Sequence, residues 1–592
     1  LAVFLADHGW ALFRPWVIND DVRQQIYWMQ AWRDPGLYAG DWLTDYARHY
    51  VPYGVRAIYR LAALAVDPLL FSKLLPGPLF ALLGACTFGI GRRLAGREGG
   101  WLALVACWLM PFFMHNVAGG LARGFAGPLL ALFVYCWLRR SAWGVAVALA
   151  LQAVCIPYVF LLCAAAAVLA WSVWKLGRGE APPFPRLAWH FGILAVASLP
   201  VLCMSLEHSA AGFGPLVTAV EMAGRGEFLA QGRFEMLPVP SLFYELTARP
   251  LELLAPFREL GVVGGALGFL GLVWVCWWGR KGVDRRPLIE GAQPLWALAG
   301  ASVGMYVLAR LVLLKLFIPS RYVEYSASLG WCLLLAVCAA GAVRRAGWTG
   351  RALALLCVSA GLLAVVRLHG AGLHDYAPEA ALYEYVASTP REAVIAGHPY
   401  LMDSVLTFGR RRVLASYELA HPWSKGLWAR LSPLLDEFFA AYYAQDPAVV
   451  RDFCRRHGVD YLVVDERDFS QVFLTPRQLY APLSKAVPMP PALAKSLMRH
   501  GLDLEVPAPI KRGHGEATHP FFEPFNTRIH ELTSGVRSFA LLREDLFPGV
   551  RVGATIRIVP VSALAMSGHG GSGGGAGHDA VASGPHGVEE VR

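Results

Sequence analysis

Long apolar stretches alternate with short polar ones over most of the first 370 residues. Eight of them have the length that a helix needs to cross a bilayer, about 17–25 residues; they cover 68–91, 99–115, 118–138, 189–206, 260–279, 294–317, 326–343 and 350–366. The stretch 141–174 is longer, carries Pro157 near its middle and has basic residues at both ends, which favours two short crossings. The pattern therefore predicts ten complete membrane spans, and we interpret residues 1–13 as the remnant of a truncated first span, an eleventh.

The basic residues of the short loops predict the orientation of these spans. They occur in every second loop: Arg92, Arg93, Arg97, Arg139, Arg140, Lys175, Arg178, Arg186, Arg280, Lys281, Arg285, Arg286, Arg344, Arg345 and Arg351. Because cytoplasmic loops carry the excess of Lys and Arg, this side is predicted to be cytoplasmic. The segments 14–67 and 207–259 and the chain after about 367 then face outward. We expect an integral protein of a bacterial inner (plasma) membrane, with these segments extracytoplasmic.

After residue 367 the periodicity changes. Amphipathic helical patterns at 427–444 and 447–457 alternate with short apolar runs at 393–396, 412–415, 461–464 and 538–542. Runs of this length between helices predict strands of an α/β domain. The expected fold class is thus a polytopic α-helical membrane protein of ten or eleven transmembrane helices with a C-terminal extracytoplasmic α/β domain. Its predicted parts are the remnant 1–13, the first outer loop 14–67 with interfacial helices, the membrane domain 68–366 with the outer loop 207–259, the outer domain 367–566 and a disordered Gly- and His-rich tail, 567–592.

Composition supports this assignment. Of the 592 residues, 56% are hydrophobic and only 16% are charged, whereas soluble domains average about a quarter charged. The net charge of +10 arises largely from the short loops between apolar runs, which excludes nucleic acid as the expected partner.

The first outer loop holds two adjacent aspartates, Asp20 and Asp21, directly after Asn19. The stretch 22–32 that follows has Trp28 and Trp32 four positions apart, a spacing that predicts an amphipathic helix along the membrane interface. In one interpretation Asn19 or Asp20 caps this helix and Asp21 favours its dipole. In the other, a carboxylate of the pair faces an outer cavity and carries chemistry.

A second acidic pattern follows at Asp41, Asp45 and His49, which are four residues apart. On one helix face, two carboxylates and an imidazole can bind a divalent metal. The interpretation that we favour is a polar face with Asp41 as the helix cap.

Four cations break the charge rule because they lie on the predicted outer side. Arg123 and Arg321 fall at outer mouths of spans, and Arg310 and Lys315 lie in the outer half of the span 294–317. Snorkelling to the headgroups explains Lys315 better than the deeper Arg310. Arg321, between Ser320 and Tyr322, is the best placed to hold a phosphate with two hydrogen bonds. An outer arginine group and one carboxylate suit sugar transfer from a polyprenyl phosphate, with the carboxylate as base for the acceptor.

The order of these motifs resembles the GT-C superfamily of polytopic glycosyltransferases, which includes protein O-mannosyltransferases, aminoarabinose transferases and the catalytic subunit of oligosaccharyltransferase. The resemblance rests on four runs: Asn19-Asp20-Asp21, Asn116-Val117-Ala118-Gly119-Gly120, Pro319-Ser320-Arg321-Tyr322 and the C-terminal FCRRHGVDYLVV at 453–464. It implies that an acidic residue of the first outer loop, Asp20 or Asp21, is the catalytic base, and Asp21 is our choice of the two.

Metal-dependent members often carry another acidic motif in the second outer loop. Here that loop reads His115-Asn116-Val117, which favours a metal-independent reaction. The resemblance also implies an accessory C-terminal domain, in which His398 and His421 have a structural role and no constellation around them.

The resulting hypothesis is an inverting glycosyltransferase that acts at the outer membrane face on a polyprenyl-phosphate-linked sugar. Its partners are the lipid bilayer, this donor and a glycan, lipid or protein acceptor; no cofactor is expected to be required, with a divalent metal as the alternative. Besides the aspartates as catalytic residues, the candidate substrate-binding residues are Arg23, Asp45, Arg123, Arg310, Lys315, Arg321 and Tyr322. A transporter or flippase for lipid-linked saccharides is the main alternative, although the chain lacks the internal repeat typical of transporters. A catalytically inactive, membrane-anchored binding protein is the third.

Overall fold

The computed structural model describes residues 1–177, 181–183, 187–229, 231–236, 239–258, 260–282, 292–312, 316–367, 370–470, 474 and 521–562. Within these ranges the molecule consists of a helical part, followed by a smaller part that contains a sheet. The predicted tail 567–592 lies outside the described residues. The helices of the first part are Ala2–His8, Val22–Gln25, Trp42–Tyr50, Tyr53–Ala62, Pro68–Leu74, Pro76–Leu109, Pro111–Val117, Ala126–Leu138, Ala142–Cys155, Pro157–Lys175, Leu187–Ala210, Ala219–Met222, Leu242–Glu252, Ala255–Arg258, Gly261–Gly282, Gln293–Leu311 and Glu324–Arg367, with short 3-10 turns between several of them.

Helices occupy the apolar stretches that the sequence predicts as membrane spans. Four helical segments are long and apolar enough to cross a membrane: Pro68–Leu109, Pro157–Lys175, Gln293–Leu311 and Pro319–Arg345. Shorter apolar helices include Ala122–Leu138, Ala142–Cys155, Leu194–Ala210, Gly261–Val275 and Gly347–Leu363. The polytopic helical fold class is thereby confirmed, while the count of ten or eleven spans stays a prediction.

Two breaks between helices fall where the sequence predicts them, whereas the predicted span 99–115 is interrupted at the extended Met110 and the predicted span 118–138 begins with two 3-10 turns before Ala126. The helix Pro76–Leu109 is interrupted at Gly96, which has φ +75°, and a Cβ on Gly91 would lie only 2.5 Å from the carbonyl oxygen of Gly99. The chain therefore reverses between the predicted spans 68–91 and 99–115. The stretch 141–174 also divides as expected, because Ile156 is extended and Pro157 starts a new helix. These divisions agree with the stereochemistry of the two residue types, since only glycine adopts such positive φ values freely and proline suits a first helical turn.

The C-terminal part is an α/β domain built on a five-stranded sheet. Its strands are β3 (Val394–Ala396), β4 (Arg412–Val413), β5 (Tyr461–Asp465), β6 (Val550–Val552) and β7 (Ile556–Pro560), in the order β4-β3-β5-β7-β6. Strand β3 runs parallel to β4 and β5, whereas β7 runs antiparallel to β5 and β6. Its helices are Ala380–Ser388, Pro399–Ser404, Lys425–Tyr442, Pro447–His457 and Phe525–Thr533. The helices predicted at 427–444 and 447–457 and three of the four predicted strands are confirmed.

The fourth predicted strand, at 538–542, is wrong. Its residues form a 3-10 turn, Ala540–Leu542, whose Leu541 is buried in the domain core. The side chain of Arg557 on β7 donates to the carbonyl oxygen of Leu541, so this backbone is bound by a side chain. Short apolar runs do not distinguish a strand from a buried turn, because both need apolar side chains on the inside.

Two further strands connect the domains. Strand β1 (Val17–Ile18) pairs antiparallel with β2 (His374–Asp375), with Ile18 opposite His374. The first outer loop is thereby bound to the chain that follows the last helix of the membrane domain. This pairing places Asn19, Asp20 and Asp21 beside the C-terminal domain.

The predicted interfacial helix at 22–32 is also wrong. The segment forms a short helix, Val22–Gln25, and a 3-10 helix, Tyr27–Trp32, and Trp28 is only 3% exposed. The C-terminal domain covers it, since Gln30 Nε2 donates to the carbonyl oxygen of Thr407 at 3.0 Å. The apolar face of the segment 22–32 is buried against protein instead of lipid. The sequence does not distinguish the two, because an amphipathic pattern is the same in both surroundings.

Candidate active site

The carboxylate of Asp21 forms an ion pair with the guanidinium of Arg123. Nη2 of Arg123 donates to Asn19 Oδ1 at 3.1 Å and lies 3.9 Å from Asp20 Oδ1. The backbone N–H of Asp21 is bonded to the side chains of Asn19 (3.2 Å) and Asp20 (3.0 Å). Asn19 and Asp20 therefore bind the backbone of the turn before the helix. The capping interpretation is not confirmed, because Asp21 occupies the cap position of the helix Val22–Gln25 and its side chain makes no capping bond. The carboxylate of Asp21 is directed at Arg123.

A glycine turn lets Arg123 reach the aspartates. Gly119 has φ +80°, and a Cβ there would lie 2.7 Å from the Cβ of Asn19. A side chain at this position would push Asn19 away, so the turn needs glycine for its φ and for this close approach. Asn19 Nδ2 in turn donates to the carbonyl oxygen of Gly372 at 2.6 Å. Three segments far apart in the sequence thus meet at Asn19.

The two aspartates differ in their electrostatic surroundings. Burial raises the pKa of Asp21; the charge of Arg123 opposes this effect, and the charge of Asp20 adds to it. Burial acts on Asp20 as well, but the charges of Arg123, His374 and Arg23 outweigh it and lower the pKa of Asp20. Adjacent acids with pKa values moved in opposite directions are a common arrangement for dividing acid–base roles. Here Asp21 is the better proton acceptor and Asp20 the more stable anion.

Arg321 lies within electrostatic range of this pair, because its charge lowers the pKa of Asp21. Its Nη1 donates to Glu324 Oε1 at 2.6 Å and is 3.4 Å from Tyr325 Oη. Tyr325 in turn donates to Asn116 Oδ1 at 2.9 Å. Among the described residues no hydrogen-bond partner is found for Nε or Nη2 of Arg321, whose side chain is 29% exposed. One side of this guanidinium is therefore held by the protein, and the other side has donors left for a ligand.

Within the described part of the chain, Arg310 and Tyr322 contact residues other than the aspartates. Arg310 is exposed, and its nearest described partner is Tyr306 Oη at 3.3 Å, whose hydroxyl is bonded to the carbonyl oxygen of Pro240. Tyr322 is buried and donates to the carbonyl oxygen of Leu316, an arrangement that stabilises the turn. Lys315 lies outside the described residues. A substrate-binding role for these three stays a prediction without a contact to support it.

The favoured interpretation of the Asp41–Asp45–His49 pattern is confirmed. Asp41 caps the helix Trp42–Tyr50 by accepting from the backbone N–H of Thr44 at 3.0 Å and from its hydroxyl at 2.6 Å. Asp45 is exposed and pairs with Arg48 at 3.2 Å. Over the part of the chain that the structure describes, no three His, Cys, Asp or Glu side chains come together as metal ligands. Whether the reaction needs a metal stays a prediction.

Arg23 lies in a second ionic group, which we call the interdomain cluster: Arg23, Asp403, Glu418 and Arg233. Arg23 is 3% exposed and lies 3.7 Å from both Asp403 Oδ2 and Glu418 Oε1. Arg233, from the segment between the helices Leu187–Ala210 and Leu242–Glu252, lies 3.4 Å from Glu418 Oε2. Burial raises the pKa of Glu418 to about 8; Arg233 and Arg23 oppose the rise, and Asp403 and Asp21 add to it. The cluster joins the first outer loop, the loop of Arg233 and the C-terminal domain.

The prediction that nothing surrounds His421 is wrong. Its Nδ1 lies 2.7 Å from Tyr46 Oη and its Nε2 lies 2.9 Å from Gln24 Nε2. Burial lowers the pKa of His421 well below its ordinary value, so the ring is neutral and serves as a hydrogen-bonding element of the interface. No pattern in the sequence indicates the interface role of His421, Arg233 or Glu418, because their partners lie in distant segments.

No protein-family model matches the chain. It is 28% identical over 265 residues to the dolichyl-monophosphooligosaccharide–protein glycotransferase AglB of Haloferax volcanii, a match over 42% of this chain and 22% of AglB. The chain thus matches about a fifth of the length of this relative.

Among solved structures, the oligosaccharyltransferase of Archaeoglobus fulgidus aligns with a TM-score of 0.45 at 12% identity, over 77% of this chain and 64% of that one. ArnT of Cupriavidus metallidurans aligns with a TM-score of 0.46 at 11% identity, over 79% of this chain and 93% of that one. The expected resemblance to GT-C membrane glycosyltransferases is confirmed by the sequence similarity to AglB.

Proposed function

We propose that the chain is an inverting glycosyltransferase that moves a glycan from a polyprenyl monophosphate to a protein acceptor at the outer membrane face. The observation that carries the proposal is the meeting of Asp21 with Arg123, within electrostatic range of Arg321. The name of AglB supports the choice of substrates, since it describes a dolichyl-monophosphate-linked oligosaccharide as donor and protein as acceptor.

In this proposal Asp21 is the general base. Its carboxylate takes the proton of an acceptor O–H or N–H group as that atom forms a bond to the anomeric carbon of the donor. The bond between the anomeric carbon and the phosphate oxygen breaks in the same step, and its electron pair leaves with the lipid phosphate. A single displacement of this kind inverts the anomeric centre. The raised pKa of Asp21 suits the task, because a base is most effective when its pKa approaches the working pH.

Arg123 and Arg321 bind the phosphate. Arg321 offers Nε and Nη2, and Arg123 joins the base to the leaving group because it contacts Asp21 directly. Guanidinium groups fit phosphate oxygens with paired hydrogen bonds and stay charged at any physiological pH. Charge that develops on the departing oxygen is thereby neutralised without a protein acid. We also propose that the reaction needs no metal ion and that the site faces the extracytoplasmic side.

The test is transfer in proteoliposomes that contain the full chain. A radiolabelled dolichyl-monophosphate-linked glycan is the donor, and peptides with Ser, Thr and Asn are the acceptors; labelled peptide is measured with and without EDTA. We expect wild-type transfer in both conditions and loss of transfer in Asp21→Asn. The matched control is Asp34→Asn, which removes another carboxylate of the same loop that pairs with an arginine, Arg391, at 2.9 Å on the surface.

Each outcome decides a part of the proposal. Transfer by Asp21→Asn at the wild-type rate would show that Asp21 is not the base. Inhibition by EDTA would contradict metal independence. Movement of the labelled lipid across the bilayer with no labelled peptide would assign the chain to the transporters of lipid-linked saccharides.

A further inference from the structure

A buried ionic cluster shares a carboxylate, that of Glu324, with Arg321. Its centre is Arg249, on the helix Leu242–Glu252, which is 2% exposed. Three carboxylates surround Arg249: Glu252 at 2.7 Å, Glu245 at 3.3 Å and Glu324 at 3.6 Å. We call these four residues the Arg249 cluster. The guanidinium also lies over the ring of Phe112, 4.8 Å from its centroid.

The cluster is bound to Arg321 through one shared carboxylate. Glu324 contacts Arg249 with Oε2 and Arg321 with Oε1, the latter at 2.6 Å. Arg249 therefore fixes the far oxygen of the group that holds Arg321. The helix that carries Arg249 is itself held, since Trp331 Nε1 donates to the carbonyl oxygen of Leu246 at 2.9 Å. Arg321 is thus oriented by a chain of contacts that begins two elements away.

Stability gives little reason for such a cluster. Removing charges from water is costly, and apolar side chains of similar volume often replace a buried ionic group without loss of stability. What an ionic group does supply is direction, because its hydrogen bonds have fixed geometry. The direction set here is that of Arg321, the group with free donors beside Asp21.

Charge balance gives Glu324 a second reason to need Arg249. An unshared Glu324 carboxylate would neutralise Arg321 and would compete with a phosphate for its N–H groups. Arg249 interacts with the second oxygen of Glu324, so the negative charge of this carboxylate is shared between two arginines. Arg321 then keeps its orientation from Glu324 and still attracts an anion.

We infer that Arg249 is a positioning residue for the phosphate of the lipid-linked donor and acts through Glu324 on Arg321. This inference rests on the proposed function and extends it to a residue that does not touch the substrate. It predicts an effect on the donor, both on its binding and on the departure of its phosphate, because Arg321 serves both steps in the proposed function and Asp21 is not among the described contacts of the Arg249 cluster.

The test is a double-mutant cycle with donor and acceptor titrations in the proteoliposome assay. Arg249→Met removes the ion-pair partner of Glu324, which lies 3.6 Å away and is not hydrogen-bonded to Arg249. A displaced Arg321 then loses about one charge-assisted hydrogen bond to the phosphate, so we expect the donor KM to rise by about tenfold. The kcat should fall as well, because Arg321 also neutralises the charge that develops on the departing oxygen. The acceptor KM should change by less than about threefold, since distant sites without shared partners act almost independently. Arg249→Lys, which keeps the charge, should restore part of the donor affinity.

The cycle separates positioning from a structural role. If Arg249 acts through Arg321, the variant Arg249→Met/Arg321→Gln has the same donor KM as Arg321→Gln alone, because the second change has nothing left to disturb. Glu324→Gln removes the same link between Arg249 and Arg321 and leaves less unpaired charge buried. If Arg249→Met does not fold, Glu324→Gln serves as the test in its place, and it should raise the donor KM. The control is Arg467→Met, which removes an arginine from a two-carboxylate group in the C-terminal domain, with Asp465 at 2.7 Å and Glu379 at 3.4 Å.

Two failures are distinguishable. If Arg321→Gln leaves the donor KM unchanged, the proposed phosphate site is wrong. If Arg321→Gln raises the donor KM but the Arg249 and Glu324 variants do not, or if their effects add fully to that of Arg321→Gln, the positioning inference is wrong.

Discussion

The Asp21–Arg123 pair and the interdomain cluster contain the same kinds of side chain within a few residues of each other, yet they are built differently. Asp21 is 21% exposed and has one arginine as partner. In the interdomain cluster Asp403 is 1% exposed and accepts from Ser416 Oγ at 2.6 Å and from the backbone N–H of Glu418 at 3.1 Å, in addition to lying near Arg23. The first pair has room for a ligand. In the second, Oδ1 of Asp403 accepts two bonds from the protein, and the buried Oδ2 faces Arg23 at 3.7 Å without a hydrogen bond.

This difference teaches how to separate chemistry from architecture when residue types agree. A carboxylate whose lone pairs are occupied by fixed donors stabilises an interface. A carboxylate that is partly open beside a cation can exchange a proton with a substrate. Exposure is what separates Asp21 from Asp403, since burial raises the pKa of both. Substitutions in the two groups should therefore change different measured quantities.

The largest expected effect is the split between Asp21 and Asp20. General-base catalysis contributes about 10²–10⁴-fold to a rate, so Asp21→Asn should lower kcat by about that factor. Asp20→Asn should lower it by less than about tenfold, because a carboxyl group with a lowered pKa is a poor proton acceptor. Single-turnover transfer rates measure both. A greater loss in Asp20→Asn would transfer the role of base to Asp20.

Arg123→Gln should follow in size. Loss of one donor to a developing negative charge costs about 10²–10³-fold in kcat, and here the ion pair of Asp21 is lost with it. Donor and acceptor titrations of kcat/KM measure the effect. Arg391→Gln, which removes the arginine of the exposed pair with Asp34, is the control and should transfer as the wild type does. Equal losses in the two variants would mean that general damage to outer arginines explains the result.

Asp403→Ala should change stability instead of chemistry. Breaking a buried ion pair from one side costs about 3–5 kcal/mol of unfolding free energy, since the partner charge stays buried. Thermal unfolding of the purified chain in detergent should show a clear fall in Tm for Asp403→Ala and a much smaller one for Asp21→Asn. A reversed order would contradict the division between the two groups.

The smallest expected effect is a dependence of the stability of the folded chain on pH, which arises from Glu418. Its pKa is about 8 in the folded chain and about 4.5 as its ordinary value. Between these values the folded chain keeps a proton that the unfolded chain has lost, so the contribution of Glu418 to stability falls as pH rises from 4.5 to 8. Glu418→Gln has no such proton, and its Tm should fall less over this window. Parallel Tm curves for the two proteins would show that Glu418 is ionised throughout.

The sequence predicts the helices of the membrane part well, because helix length and helix breaks depend on residues that are close together in the sequence. Helical length, the break at Pro157 and the turn near Gly96 depend on neighbouring residues alone. Arg123 and Arg321 were identifiable for another local reason, since they break the charge pattern of the loops. The same rule selected Arg310, whose side chain points to Tyr306 instead of the aspartates. Position along a span does not tell which way a side chain points.

The rest of the site depends on long-range pairing. Arg233 and Glu418 are separated by 185 residues and Arg23 and Ser404 by 381, and no periodicity in the chain connects them. The surroundings of Trp28 and Trp32 were predicted wrongly for a related reason, because an apolar helix face that packs against lipid has the same sequence pattern as one that packs against another domain. Whether Asp21 is catalytic stays a prediction, but its contact with Arg123 shows where to test it.

The two-residue ladder between β1 and β2 has a consequence for the length of the chain. Each step along a strand is about 3.3 Å, and a slip by one residue turns every side chain to the opposite face. Deleting a single residue such as Ala371 would shift His374 against Ile18 and carry the carbonyl of Gly372 away from Asn19. The number of residues between the last membrane helix and β2 therefore determines the register of β2 against β1 and the position of Asn19. Insertions there should be tolerated far less than in an ordinary connection between two domains.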